Sequence, residues 1–208
     1  MNKKLLIWIL AMVFLIPIVT APLWHGTPDG LVSHWTCDGD FDDRISGNDG
    51  TQSGGVSITR GVKGRGCEFD GVDDYVDAGT QMELHNFSAS AWIKVDSHGA
   101  SNRYVVSQRG VFNFGVHSSD TLYMTYYNGS SYITSSGGTN VTDGKWHHIV
   151  YTYNTNTDNL TNYVDGEFNQ YRDVSSYGDI VPTVTNKNFL IGAEDDGLPT
   201  ARYEFNGS

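Results

Sequence analysis

The stretch from Asp143 to Glu167 most constrains the fold of this chain, because it reads as a turn, a strand, a loop and a second strand. Residues 148–153 alternate between two sets of side chains with the period of two that a β-strand requires. Asp143-Gly144 and Asp165-Gly166 are turn dipeptides on either side. The residues of this stretch that we expect in a core are Trp146, Ile149, Tyr151 and Val164.

The same alternation continues elsewhere in the chain. Residues 87–95 place small and apolar side chains on one face, residues 31–37 read as the first strand, and Asn128-Gly129 is a strong hairpin signal. No amphipathic helix stands out after the N-terminal segment. Many short strands with regular turn signals predict an all-β fold, a two-sheet antiparallel sandwich.

Three motifs give this pattern a family resemblance. They are Gly-Lys-Trp-His-His-Ile (144–149) followed by Tyr-Val-Asp-Gly (163–166), Phe-Asp-Gly-Val-Asp-Asp-Tyr-Val (69–76), and the acidic loop 43–50. In this order they resemble the laminin G-like, pentraxin-like jelly-roll domains of the concanavalin A-like lectin/glucanase superfamily. The resemblance covers roughly Leu31 to Ser208 and implies a jelly roll. It also implies a last strand beyond Ser208, so we expect the domain at 31–208 to be truncated at its C-terminus. An open edge on the first strand, or a strand donated by another chain, is the alternative.

The N-terminal segment has the pattern of a targeting sequence. Lys3 and Lys4 precede an apolar run, and small residues close the segment, so 1–21 is predicted to be a signal peptide and 22–30 a flexible leader. The alternative is an uncleaved segment that would tie the protein to a membrane. Either way we expect the domain to be secreted or displayed at the cell surface.

Charge and cysteine content agree with that compartment. The net charge of −11 argues against binding to nucleic acid, whose phosphates require clusters of Lys and Arg. The two cysteines, Cys37 and Cys67, are predicted to form a disulfide, and two reduced thiols are the alternative.

Catalysis by this chain is not expected. Related β-glucanases carry two Glu flanking an Asp on one strand, and retaining hydrolysis needs such a pair of carboxyl groups about 5 Å apart. None of the five Glu residues lies in that pattern. His147 and His148 are neighbours on a strand and therefore point to opposite faces, which is unsuitable for one metal ion.

Calcium is the cofactor that the acidic residues favour, because hard cations prefer oxygen ligands. The resemblance to pentraxins implies one site at Glu194, Asp195 and Asp196. Pentraxins complete this site with an Asp-Asn pair, but here that region contains the positively charged Arg109. The longer acidic loop from Asp38 to Asp49 is a second candidate. Its proposed ligands are Asp38 and Asp43, with Asp70 nearby, and a loop that is merely solvated is the alternative.

Aromatic and amide side chains are the candidate ligand contacts. Trp92, Tyr126, Tyr127 and Asn128 have the residue types that stack on sugars and bond their hydroxyls, whereas cross-strand pairing is the simpler explanation for each. The candidate N-glycosylation acceptors are Asn86, Asn128, Asn140, Asn159 and Asn206.

Together these observations predict a non-catalytic extracellular domain that binds a glycan or an extracellular protein, with calcium ordering its loops. An accessory module or fragment of a secreted glycan-active enzyme is the alternative. A purely structural spacer in a larger envelope protein is the third interpretation.

Overall fold

A computed structural model describes residues 29–79, 85–96, 101–181 and 187–194, together with the backbone of residues 206 and 207. Of the two units into which the chain divides, Val32–Ser208 contains every strand that the structure describes. The predicted signal peptide, residues 22–28 of the predicted leader, and the candidate ligands Asp195 and Asp196 lie outside the described residues.

The described residues contain fourteen strands. They are β1 (Thr51–Ser53), β2 (Ser57–Arg60), β3 (Arg65–Asp70), β4 (Tyr75–Asp77), β5 (Phe87–Lys94), β6 (Arg103–Gln108), β7 (Phe112–Val116), β8 (Thr121–Tyr127), β9 (Tyr132–Asn140), β10 (Trp146–Asn154), β11 (Asn159–Val164), β12 (Glu167–Asp173), β13 (Phe189–Ile191) and β14 (Asn206–Gly207).

These strands form antiparallel sheets. One sheet has seven strands in the order β1-β4-β13-β6-β7-β8-β9, a second has four in the order β12-β11-β10-β5, and a third has three in the order β14-β3-β2. The described part of the chain contains no helix, and therefore none that is long and apolar enough to cross a membrane. The predicted all-β antiparallel sandwich is confirmed.

The core lies between the seven-stranded and four-stranded sheets. Phe114 of β7 meets Tyr151 of β10 edge to face, with ring centroids 4.9 Å apart, and Tyr126 of β8 meets Tyr153 of β10 at 5.1 Å. Each of these four side chains is at most 2% exposed. Aromatic pairs in this geometry stabilise a core beyond the area that they bury.

The hairpin predicted from residues 143–167 is present as β10 and β11, with Ile149 opposite Val164 and Tyr151 opposite Asn162. Ile149, Tyr151 and Val164 lie in the core as predicted. Trp146 does not. It pairs with Lys94, whose side chain points away from the core, so Trp146 lies half-buried on the outer face. The prediction for Trp146 was wrong because alternate residues of a strand point to the same face. Trp146 therefore shares the outer face with His148 and not the core face with Ile149.

The first predicted strand, Leu31–Cys37, forms only one isolated bridge, between Trp35 and Asp43. The backbone N–H of His34 donates to the Asp43 carboxylate instead of to a neighbouring strand, and Cys37 has a φ of 50°. The Asp43 side chain has therefore replaced the neighbouring strand as the acceptor for this segment, and the prediction of a strand at residues 31–37 was wrong.

The predicted disulfide between Cys37 and Cys67 is present, with the two Cα atoms 5.5 Å apart. It ties the acidic loop to β3. A bond across a separation of 30 residues is worth about 2–4 kcal/mol through its restriction of the unfolded chain.

The C-terminal strand β14 consists of Asn206 and Gly207, which pair with Asp70 and Phe69 of β3. The strand that the family resemblance implies beyond Ser208 stays a prediction.

His147 holds together the two turns that flank the β10–β11 hairpin. Its Nδ1 lies 2.8 Å from Asp165 Oδ2 and its Nε2 lies 3.0 Å from Asp143 Oδ1. Both contacts are hydrogen bonds only when the ring carries two protons. Burial alone would lower the pKa of His147, but the bonds to Asp165 and Asp143 outweigh it and raise that pKa above its usual value.

This arrangement predicts a pH-dependent stability. Because the folded pKa of His147 is raised, its contribution is complete below the unfolded pKa of about 6.5 and is lost as the pH rises through the folded value. The free energy of unfolding, measured in urea between pH 5 and pH 9, should therefore fall with rising pH in the wild type. The variant His147→Gln should lose most of this decrease.

His117→Gln is the matched control, because its ring bonds the Ser119 hydroxyl and not a carboxylate. If the pH profile of His147→Gln matches that of the wild type, the ring does not bridge the two turns as a cation.

Candidate functional site

The outer face of the seven-stranded sheet carries a line of polar side chains. Phe112 and Phe114 point into the core, so Asn113 between them points outward, and Thr125 is outward for the same reason. Ser107 pairs with Asn113, Asn113 with Thr125, and Thr125 with Thr134. We call Ser107, Asn113, Thr125 and Thr134, which cross β6 to β9, the polar row.

Three of the four members of the polar row are buried although they lie on an outer face, and Thr134 is half-buried. Ser107, Asn113 and Thr125 are 0%, 3% and 2% exposed. Part of the cover is the segment after β13, where the Ser107 hydroxyl donates to the Ala193 carbonyl at 2.7 Å and the Asn113 amide donates to Glu194 Oε1 at 2.9 Å.

Gly192 allows the chain to turn onto this face. Its φ is +89°, and a Cβ at this position would lie 2.5 Å from Cε1 of Phe69. Only glycine tolerates both conditions, so the course of the chain that delivers Glu194 to the polar row depends on this residue.

Three polar atoms around the polar row are buried and have no hydrogen-bond partner among the described residues. They are Asn113 Oδ1, Thr125 Oγ1 and Arg109 Nη1. A buried polar atom without a partner costs about 1–3 kcal/mol, and most such atoms in folded proteins are paired. The face therefore combines an unused acceptor, an unused cationic donor and a hydroxyl that can serve as either.

Tyrosines border the polar row on two sides. Tyr132 is 44% exposed, its ring lies 5.1 Å from that of Tyr127, and its hydroxyl accepts the Gly110 N–H at 3.2 Å. On the other side the rings of Tyr104 and Tyr123 are 5.7 Å apart.

Opposite charges meet near Tyr132. Burial raises the pKa of its hydroxyl and the hydrogen bond from Gly110 lowers it, while the negative Glu194 raises that pKa and the positive Arg109 lowers it by smaller amounts. Arg109 thus places positive charge in the neighbourhood of Glu194, which weakens this position as a cation site.

The predicted ligand contacts do not form one site. Tyr126 is 0% exposed and its hydroxyl donates to the Gly178 carbonyl at 2.8 Å. Burial, with a contribution from Asp179, raises the pKa of Tyr126 to about 12. The prediction that Tyr126 contacts a ligand was wrong, because its parity on β8 places it in the core.

Tyr127 lies on the outer face beside Tyr132, whereas Asn128 is used in a turn. Asn128 Oδ1 accepts the N–H groups of Ser130 and Ser131, and Asn128 Nδ2 donates to the Tyr177 carbonyl at 2.6 Å. Trp92 lies on a different sheet, on β5, and is 50% exposed.

The predicted glycosylation acceptors lie at strand ends and turns. Asn86 and Asn140 are exposed, and Asn128 and Asn159 are half-buried. The side chain of Asn206 lies outside the described residues. Their modification stays a prediction.

Asp43 is the centre of the acidic loop. Its Oδ1 accepts the N–H groups of His34 and Ile45, and its Oδ2 accepts those of Ser46 and Asn48 together with the Ser46 hydroxyl. Burial would raise the pKa of Asp43, but these hydrogen bonds outweigh it and hold the pKa well below its usual range. The carboxylate thus has a structural role as an acceptor for the loop backbone.

Asp38 has a similar role on a smaller scale, because its Oδ1 accepts the Arg65 N–H at 3.1 Å. Among the described residues, neither Asp38 nor Asp43 belongs to a group of three ligands close enough to share an ion. The structure therefore does not bring Asp70 together with these two residues.

Asp70 instead lies beside Asp73 and Asp74, and one carboxylate oxygen from each falls within 4.8 Å of the others. We call these three residues the aspartate cluster. Asp74 is 2% exposed and accepts the N–H groups of Gly55 and of Asp70, the latter at 2.9 Å. Gly54 permits this close approach, because a Cβ there would lie 2.5 Å from the Asp73 carbonyl oxygen.

The carboxylates of Asp70 and Asp73 are exposed. An all-oxygen donor set of this kind suits calcium in ligand chemistry. The spacing Asp-x-x-Asp-Asp within one tight turn was the sequence signal for this cluster, although Asp73 and Asp74 entered the prediction only as part of the family motif at 69–76.

Comparisons with known proteins agree with this architecture. The family model described as the concanavalin A-like lectin/glucanases superfamily (Laminin_G_3) matches residues 70–208. No curated protein matches the sequence.

Solved structures show the same fold at low sequence identity. The binding domain of Paraclostridial Mosquitocidal Protein 1 superposes with a TM-score of 0.60 at 15% identity, covering 79% of this chain but only 42% of that one. Domain 4 of AbnA, a GH43 extracellular arabinanase from Geobacillus stearothermophilus, has a TM-score of 0.59 at 13% identity and covers 84% and 88%. The Ruminococcus gnavus IT-sialidase CBM40 has a TM-score of 0.56 at 15% identity and covers 68% and 85%.

The structural role of Asp43 can be tested by substitution. Asp43→Ala removes the acceptor for five donors and should lower the free energy of unfolding in urea by roughly 2–4 kcal/mol. Asp42→Ala is the matched control, because this neighbouring carboxylate is exposed and should change stability by less than about 0.5 kcal/mol.

Both variants are measured in EGTA and again in millimolar calcium. If Asp43→Ala lowers the free energy of unfolding only in calcium, Asp43 is a metal ligand. If Asp43→Ala and Asp42→Ala lower it equally, Asp43 is not the central acceptor of the loop.

Proposed function

Because the chain belongs to the concanavalin A-like lectin/glucanases superfamily, we propose that it is a non-catalytic extracellular glycan-binding domain whose binding face is the polar row and its bordering tyrosines. The observation that carries this proposal is the group of buried polar atoms without partners at Asn113, Thr125 and Arg109.

A sugar has the chemistry to satisfy these atoms. Each of its hydroxyls both donates and accepts, so one can donate to Asn113 Oδ1 while another accepts from Arg109. The buried groups are already desolvated in the free protein. A ligand hydroxyl that reaches them recovers part of the cost of about 1–3 kcal/mol for each group.

The bordering tyrosines supply the apolar contact that sugars also need. Tyr127 and Tyr132 present ring surface next to the polar row, and Tyr132 is the more exposed of the two. The apolar face of a sugar ring packs against such rings while its hydroxyls bond to polar groups.

Two similar structures support the class of ligand without identifying the sugar. The AbnA domain was solved with arabinotriose, and the sialidase CBM40 was solved with α2,3- and α2,6-sialyllactose. Both are parts of glycan-active proteins by their names, which favours an accessory module of a secreted glycan-active enzyme as the setting of this chain. Its disulfide and the predicted signal peptide support an extracellular location.

Calcium is part of this proposal as a structural cofactor. Asp70 and Asp73 would supply its ligands at the aspartate cluster, and the ion would supply charge compensation in the turn between β3 and β4. The set Glu194, Asp195 and Asp196 remains a second proposal, with Arg109 as the opposing feature.

Thr125→Val gives a sharp test of the binding face. The variant removes a buried hydroxyl that has no partner among the described residues, so the melting temperature should stay equal or rise. Affinity for the best ligand from a glycan array, measured by isothermal titration calorimetry, should fall roughly three- to tenfold because one hydrogen bond is lost.

Thr59→Val is the matched control, since it makes the same change on a strand of the three-stranded sheet. Equal affinities for the Thr125 and Thr59 variants, or an array without any bound glycan, would contradict the proposed face.

The aspartate cluster is tested separately. Calcium should raise the melting temperature of the EGTA-treated wild type, and Asp73→Asn should reduce that increase because it removes an exposed carboxylate ligand. Glu167→Gln, an exposed carboxylate elsewhere, should leave the increase unchanged. An identical melting temperature of the wild type in EGTA and in calcium would remove the metal from the proposal.

A further inference from the structure

The outer face of the four-stranded sheet is aromatic where the other outer face is polar. Ala91 and Ile93 of β5 face the core, so Trp92 points outward. On β10, Ile149 and Tyr151 face the core, so His148 and Val150 point outward. Cross-strand partners share a face, which places Tyr163 of β11 beside Val150.

A β-bulge adds two further rings to this face. Tyr163 pairs with Phe168 and Asn162 pairs with Gln170, which leaves Asn169 as the extra residue on β12. Without the bulge, Phe168 and Tyr171 would point to opposite faces, because they are three residues apart. The extra residue brings both to the outer face.

The bulge is held in place by hydrogen bonds toward the other sheet. Asn169 Nδ2 donates to Asn162 Oδ1 at 2.6 Å, and Asn169 Oδ1 accepts the Thr139 N–H at 2.8 Å. Gln170 donates to the Ser136 carbonyl at 3.2 Å. The outward position of Phe168 is thus fixed by contacts on the inner side of its strand.

The outward rings include two contacting pairs. Trp92 lies 5.1 Å from His148, and Tyr163 meets Phe168 edge to face at 6.2 Å. Trp92, Phe168 and Tyr171 are 50%, 60% and 59% exposed. We call Trp92, His148, Val150, Tyr163, Phe168 and Tyr171 the aromatic platform.

The side chains between and beside these rings on the outer face carry hydroxyl groups and not charges. The same face carries Ser88 and Ser90 of β5, Thr152 of β10 and Thr161 of β11, in register with the aromatic residues. On the described strands of this sheet, the outward Asp, Glu, Lys and Arg side chains lie at the ends, with Lys94 at one end and Asp173 at the other. An exposed aromatic face of this kind is unusual on a chain whose net charge is −11.

The geometry points to a second glycan-binding surface on the aromatic platform, one that takes a neutral polysaccharide chain. The sugar rings of such a chain have a flat C–H face that packs on aromatic rings and hydroxyl edges that bond Ser and Thr. A second copy of this acidic chain, or an anionic membrane, would meet it with like charge. This inference goes beyond the polar row and does not depend on it, because the two faces belong to different sheets.

The test uses the purified full chain and two insoluble neutral polysaccharides, microcrystalline cellulose and chitin, in a depletion assay. We expect depletion by at least one of them, and at least about a tenfold weaker partition constant for Trp92→Ala and for Phe168→Ala. Both side chains are on the surface, so their melting temperatures should stay close to that of the wild type. Tyr177→Ala, an exposed loop tyrosine that packs against Arg172, is the matched control.

Thr125→Val separates the two proposals, because it should retain binding to the solid polysaccharide even when it loses the soluble glycan. The inference is overturned when neither polysaccharide depletes the wild type, or when the platform variants bind as the Tyr177 variant does. It is also overturned when Phe168→Ala instead dissociates a dimer in sedimentation equilibrium or abolishes binding to neutral phosphatidylcholine vesicles, since a second copy or a bilayer would then be the occupant.

Discussion

The contact between Phe114 and Tyr151 across the two sheets is the constraint on which the rest of the structure depends. Once these rings face each other, strand alternation decides the direction of every neighbour on β7 and β10. Asn113 must then point out of one side of the sandwich and His148 out of the other. The two outer faces, one polar and one aromatic, are therefore consequences of how the core is packed.

Local patterns in the sequence were sufficient to predict the fold class, an all-β antiparallel sandwich. The β10–β11 hairpin, the Cys37–Cys67 bond and the strand at residues 87–94 follow from alternation, turn dipeptides and cysteine number. The polar row could not be predicted in this way, because its members come from four strands whose register depends on non-local pairing. The bulge at Asn169 could not be predicted either. One extra residue in a strand reverses which of the following side chains point to each face of the sheet.

The aspartates show why acidic content alone is a weak guide to metal binding. Asp43 and Asp74 are buried, and their oxygens are occupied by backbone N–H groups of the turns that they stabilise. Such carboxylates substitute for strand partners in loops that cannot form a ladder. Within the described ranges, a group of carboxylates close enough to share a cation occurs at Asp70 and Asp73, which remain exposed beside the buried Asp74.

Both outer faces depart from what stability alone would favour, and in opposite directions. Apolar side chains in the polar row would remove the cost of the atoms that lack partners at Asn113 and Thr125, while polar side chains at Trp92 and Phe168 would remove exposed apolar surface. In folded proteins, residues that differ from those that would best stabilise the local structure are concentrated at functional positions. Because the polar departure suits sugar hydroxyls and the aromatic one suits the C–H face of sugar rings, the proposed class of ligand, a glycan, would account for both.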